Sequence, residues 1–158
     1  MRIFGAQKRN STRTMLAIQQ CNQNGHIDDC IANFQEALRL APKSATAAAG
    51  LLKAQDLKAR LEQELAIGRA AVRSNPKNAD AHYRLGKLEA RAGDLAAAIQ
   101  DIQKAAEGEP NNGTPHVEWA QLFLQKGDTV GAWAEVGKAR QLGTEPPAAF
   151  ISRLGPKK

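Results

Sequence analysis

The sequence predicts an all-α protein, a solenoid of four stacked antiparallel helix pairs closed by a short C-terminal helix. Three observations carry this. Proline recurs at Pro42, Pro76 and Pro110, 34 residues apart, and alanine recurs at Ala37, Ala71, Ala105 and Ala139 with the same spacing. The composition is rich in alanine and only 4% aromatic, which suits closely packed helices better than sheets with β-branched and aromatic faces. With 42% apolar and 24% charged residues, a chain of 158 residues can bury a sizeable core and is too apolar to be disordered throughout.

Each marker in the period has its own physical reason. Asn10, Ser44, Asn78 and Asn112 each precede a helical stretch, where a side-chain oxygen can satisfy orphan backbone amides. Gly25, Gly93 and Gly127 fall in one phase later in the unit, where glycine adopts the left-handed conformation that ends a first helix. His26, Asp94 and Asp128 follow them, and aspartate there can cap a second helix. Proline stops that second helix, and the recurring alanine lets neighbouring helices approach closely. The units run Ser11–Ser44, Ala45–Asn78, Ala79–Asn112 and Gly113–Pro146, between a basic N-terminal segment (1–10) and a C-terminal segment (147–158).

These residues resemble the tetratricopeptide repeat family, whose pattern is W-x2-L-G-x2-Y, then A-x3-F, then A and P. The third unit matches best, with Leu85-Gly86, Gly93-Asp94, Ala98-x3-Ile102, Ala105 and Pro110; His82 and Glu89 replace its two aromatics. The first unit keeps Cys30-x3-Phe34, Ala37 and Pro42, and the fourth keeps Trp119-Ala120, Phe123, Ala132-x3-Val136 and Ala139 but has Thr144 in place of proline. The resemblance implies a right-handed superhelix whose first helices line a concave, partner-binding face.

The second unit departs most, with Ala59-Arg60 at the turn, Glu64 at the small position and Gly68 at the large apolar one. Either it is two helices meeting at an altered angle, or Ala45 to Arg73 is one long helix; Leu57, Leu61, Leu65 and Val72 keep a helical face in both. The register held by the flanking units favours two helices, with this repeat as the weak point or hinge. After the fourth unit, Phe150, Ile151 and Leu154 lie at helical spacing before Gly155-Pro156, so Ala148–Leu154 reads as a cap over the exposed end of the array. The cap is incomplete, which implies a chain cut from a longer protein or an end buried by self-association into a homo-oligomer.

The net charge of +6 is local: the two terminal segments and the second unit carry the excess, while the other three units sum to a negative charge. No continuous stripe exists to track phosphates, which disfavours nucleic acid as a partner. No run approaches the roughly 18 apolar residues of a membrane span. Gln7-Lys8-Arg9-Asn10 interrupts any signal-peptide core, so the expected location is cytoplasmic, or periplasmic or exported if a leader has been removed. Cys21 and Cys30 can face each other across a hairpin and bridge, but the reading as two small core fillers is favoured.

No phosphate-binding, dinucleotide, zincin or serine-hydrolase motif is present, no cofactor is implied, and no catalysis is expected. His82 and His116 lie 34 apart where the family has tryptophan, so they stack a repeat-width apart and read as packing residues with a satisfied ring nitrogen. His26, Asp28-Asp29 and Glu107/Glu109 read as solvated. By resemblance, the ninth position of each unit looks into the groove and reads Gln19, Lys53, Lys87 and Gln121. Tyr83, Arg84 and Arg91 join it from the third unit, with Asn22 and Gln23 on one side and Gln125 on the other. Such a surface offers amides to an extended main chain and cations to a carboxylate, so an acidic peptide or a C-terminal carboxylate is the expected ligand. Asp56, Asp80 and Glu118 project from the same side, and a merely solvated helix face is the plainer account of these charges.

Chaperone-binding members of the family use a carboxylate clamp of Lys and Asn in the first repeat and Lys and Arg in the third. Met15 and Gln19 in the first unit, and Asp80 beside Arg84 in the third, disfavour such tails here. The leading function class is an interaction scaffold or adaptor. An escort chaperone of a secretion or assembly system is the second, and a docking or regulatory arm of a larger enzyme or export machine the third.

Overall fold

The computed structural model describes residues 2–21 and 26–156, with side chains for 11–19, 21 and 26–156. The described residues form α1 (Arg2–Cys21), α2 (Ile27–Leu40), α3 (Ala45–Ser74), α4 (Ala79–Ala92), α5 (Leu95–Gly108), α6 (Thr114–Gln125), α7 (Thr129–Gln141) and α8 (Ala148–Leu154), with no strand among them. The chain divides into two compact units, Met1–Glu64 and Leu65–Lys158.

In the first unit α1 and α2 form a hairpin. Asn10 is not a cap: α1 begins at Arg2 and runs through it. Asn22, Gln23 and the turn residue Gly25 lie outside the described residues. Asp28 and Asp29 occupy the first turn of α2 and Arg39 its last, each sign complementing the helix dipole. The core gathers Ala17, Cys30, Phe34, Ala37, Ala47 and Ala54, with Leu51 packed against it. Gly50 is required there, because a Cβ on it would collide with the Phe34 ring. Cys21 and Cys30 form a disulfide, which corrects the reading of two free core fillers. Their Cα atoms lie 5.3 Å apart across the hairpin, within bridging range, and Cys30 still packs in the core.

The second repeat is one helix and not two. From Ala45 to Ser74 the backbone is continuously helical for 30 residues. Ala59-Arg60 supplies neither a left-handed glycine nor a capping aspartate, and the flanking segments consist of strong helix formers, so nothing reverses the chain. Ser44 does cap it, its Oγ accepting from the Ala47 amide at 3.3 Å.

In the second unit, α4–α5 and α6–α7 are hairpins closed as the markers predict. Asn78 Oδ1 accepts from the Ala81 amide at 3.1 Å at the start of α4. Gly93 and Gly127 take φ of 87° and 80°, the left-handed region that favours glycine. Asp94 and Asp128 then accept from the Ala97 and Gly131 amides at 3.1 and 2.8 Å. Ile102 and Leu122 centre one apolar cluster with Ala90 and Ala98. A second joins Ala120, Ala132 and Val136 to Phe150 and Leu154, so α8 lies over α6 and α7.

Candidate binding face

Gln19 on α1 and Lys53 on α3 belong to the first unit, and both are exposed. Tyr83, Arg84, Lys87 and Arg91 on α4, with Gln121 and Gln125 on α6, belong to the second. In that unit the amphipathic α4 buries Leu85, Gly86 and Ala90 and turns Arg84, Lys87 and Arg91 to solvent. Tyr83 is half-buried, and Lys87 Nζ sits 5.4 Å from its ring centroid, within cation–π range.

Glu118 reaches this pair from α6. Burial raises its carboxyl pKa and the Lys87 charge lowers it, with burial the larger effect. Tyr83 is raised in turn by burial and by Glu118. Arg84 is held by Asp80 one turn back, its Nε 2.9 Å from Oδ2. The face is therefore less basic than its Arg and Lys count suggests, as Asp80 and Glu118 foreshadow. Beside Tyr83, between α4, the end of α5 and the start of α6, lies a depression of about 190 Å³ with Asp80, Glu109 and Asn112 on its walls. Glu109 and Asn112 sit in the inter-repeat turn and carry no groove signature in the family pattern.

Behind the face lies a polar clasp that sequence reasoning saw only in part. His82, 2% exposed, places Nδ1 2.6 Å from Asp101 Oδ1 and Nε2 3.0 Å from the Pro76 carbonyl. The Pro76 carbonyl can only accept, so Nε2 donates to it, and Nδ1 pairs with the Asp101 carboxyl, which leaves neither ring nitrogen without a partner. Glu89, 4% exposed, has an Oε2 that meets no donor, and its carboxyl is hydrogen-bonded to Asp101. Two carboxyl groups hold such a bond only by sharing a proton. Burial, then the Asp101 hydrogen bond and charge, push the Glu89 pKa up to about 7; Arg69, 3.9 Å away, pulls against this and Asp94 adds to it.

One repeat later the motif returns: His116 Nδ1 lies 2.7 Å from Glu135 Oε2, and Lys138 Nζ lies 2.8 Å from Glu135 Oε1. His116 stacks on Trp119 and Trp119 on Phe123, with centroids 6.1 and 6.0 Å apart. The two histidines thus tie helices within their hairpins. Among the described residues no group of three or more His, Cys, Asp or Glu could hold a metal ion. No helix there is long and apolar enough to cross a membrane.

Comparison with known proteins agrees with this architecture. The tetratricopeptide repeat profile matches residues 23–78 and 65–113, more than half of the chain. No curated protein sequence matches. Among solved structures, MamA (residue 41 to its end) from Desulfovibrio magneticus RS-1 is similar at TM-score 0.52 and 22% identity, over 85% of this chain and 75% of that one. A second MamA structure gives 0.52 and 22% over 85% and 78% of the two chains. MamA AMB-1 gives 0.51 and 22% over 89% and 94%. At this identity the likeness concerns fold alone, an all-α solenoid of repeat units. The chain belongs to the tetratricopeptide repeat family.

Proposed function

We propose that this protein is a non-catalytic interaction scaffold that binds an acidic peptide segment or a C-terminal carboxylate along the α4–α6 face. The observation that supports this is the Tyr83–Lys87 pair: a half-buried ring beside an exposed cation, with Arg91 further along α4 and Gln121 and Gln125 on α6. The ring offers apolar contact, the amides can pair with an extended main chain, and Lys87 and Arg91 can meet a carboxylate. The Cys21–Cys30 disulfide favours the periplasmic or exported alternative over the cytoplasm, where thiols are kept reduced.

The test is fluorescence anisotropy with a labelled acidic peptide ending in a free carboxylate, against its amidated and neutral counterparts. Replacing Lys87 and Arg91 by Ala should weaken binding by roughly tenfold or more, about 1.4 kcal/mol, most visibly at low salt. Unchanged affinity at low salt would remove the basic face from the account.

A further inference from the structure

The depression beside Tyr83 differs in charge from the Lys87 and Arg91 end of α4. It lies wholly within the second unit, where the end of α5 closes on the start of α4: a Cβ on Gly108 would come 2.9 Å from Ala79 Cβ. Ala79, Ala105 and Pro115 give it an apolar lining of small groups. Its volume of about 190 Å³ exceeds the roughly 150 Å³ that admits a benzene-sized group, so a whole side chain can enter.

Its polar lining is rich in acceptors. Asp80 and Glu109 bring carboxylates, and the side-chain amide there, Asn112 Nδ2, already donates to Glu109 Oε2 at 2.7 Å. The helix starts beside it are capped as well. Asn78 Oδ1 accepts from the Ala81 amide at 3.1 Å and Asn112 Oδ1 from the Thr114 amide at 2.9 Å, so neither amide is left for an anion. Asp80 holds Arg84 in an exposed pair, which a second cation can share or displace because such pairs are weak. Glu109 meets no cation among the described residues. Tyr83 adds a ring that already takes one cation, Lys87.

We propose that this hollow receives a lysine or arginine side chain of the peptide bound along α4 and α6, its apolar stem against the alanines and proline and its charged head toward Asp80 and Glu109. Resting on the α4–α6 reading, this makes the ligand bipolar. Asp80, Lys87 and Arg91 lie seven and then four residues apart along one face of α4, so the two cations stand about 10 and 16 Å from the hollow at 1.5 Å per residue. An extended chain advances about 3.3 Å per residue, which places the basic residue roughly three to five residues from the carboxylate.

Fluorescence anisotropy on the full chain tests this with a labelled peptide whose single lysine stands about four residues from a run of glutamates. Two controls carry glutamine, one in place of the lysine and one in place of the glutamates. The lysine peptide should bind roughly tenfold more tightly than the control without lysine. Glu109→Gln, which keeps an acceptor for Asn112, should weaken the lysine peptide by roughly fivefold, the upper end for an ion pair open to solvent, and leave the control without lysine unchanged. Asp80→Asn should do the same and serves if the first variant folds poorly. Equal affinity for these two peptides overturns the cation site, as does a Glu109→Gln change that treats both alike, even where Lys87→Ala weakens both and the acidic-peptide reading stands. A lysine preference that persists in peptides without the glutamates upholds the cation site and overturns the acidic-peptide reading. Binding of neither peptide overturns both.

Discussion

The second and third repeats have the same length and the same proline and alanine phase, yet α3 is a single 30-residue helix and α4–α5 is a hairpin. Two differences separate them. Gly93-Asp94 turns the chain and caps α5 in the third repeat, and Ala59-Arg60 does neither in the second. The buried His82–Asp101 pair joins the helices of the third, and the equivalent residues of the second are Ala48 and Ile67. A period therefore sets where a hairpin would turn. Whether it turns depends on one left-handed residue, one cap and a contact that rewards closure.

The largest effect expected from this comparison comes from the clasp. His82→Leu leaves the Asp101 carboxyl and the Pro76 carbonyl without their partner and should cost about 1–3 kcal/mol for each of these two acceptors in urea unfolding. The next concerns pH. The Glu89 carboxyl rises from 4.5 to about 7 on folding, so between those values the unfolded chain releases a proton that the folded chain keeps. Its contribution to stability is full below about 4.5 and is lost as pH rises through 7. At about 1.4 kcal/mol per pKa unit, the loss amounts to a few kcal/mol. Glu89→Gln, which keeps a neutral donor toward Asp101, should hold its stability across this window, so its advantage over the parent grows from pH 5 to pH 8. Parallel curves would refute the shared proton. The smallest effect is at the turn: Asp94→Ala should lower stability by about 1 kcal/mol, through loss of the Ala97 cap.

Features that act locally were legible in the sequence. Asn78, Gly93, Asp94, Gly127 and Asp128 do their work within a few residues of themselves, and each sits as its chemistry dictates. Contacts across a hairpin were harder to see. Asp101 and Glu135 recur one period apart just as His82 and His116 do, and that matched recurrence was the available signal for the clasps. The packing role of the histidines was readable without their partners. On the candidate face, Glu118 was visible as a charge, but its effect on Lys87 depends on how α4 meets α6. The absence of a breaker at Ala59-Arg60 was in plain view, and the regularity of the neighbouring units outweighed it. The disulfide needed the hairpin geometry that brings Cys21 to Cys30.

The continuity of α3 underlies the comparison, and one distance tests it directly. Spin labels at Thr46→Cys and Arg73→Cys, in chains diluted with unlabelled protein, should lie roughly 40 Å apart by pulsed electron resonance, the length of 27 residues at 1.5 Å each. A main distance below about 20 Å would mean that the second repeat folds back into a hairpin at Ala59-Arg60, and would contradict the account.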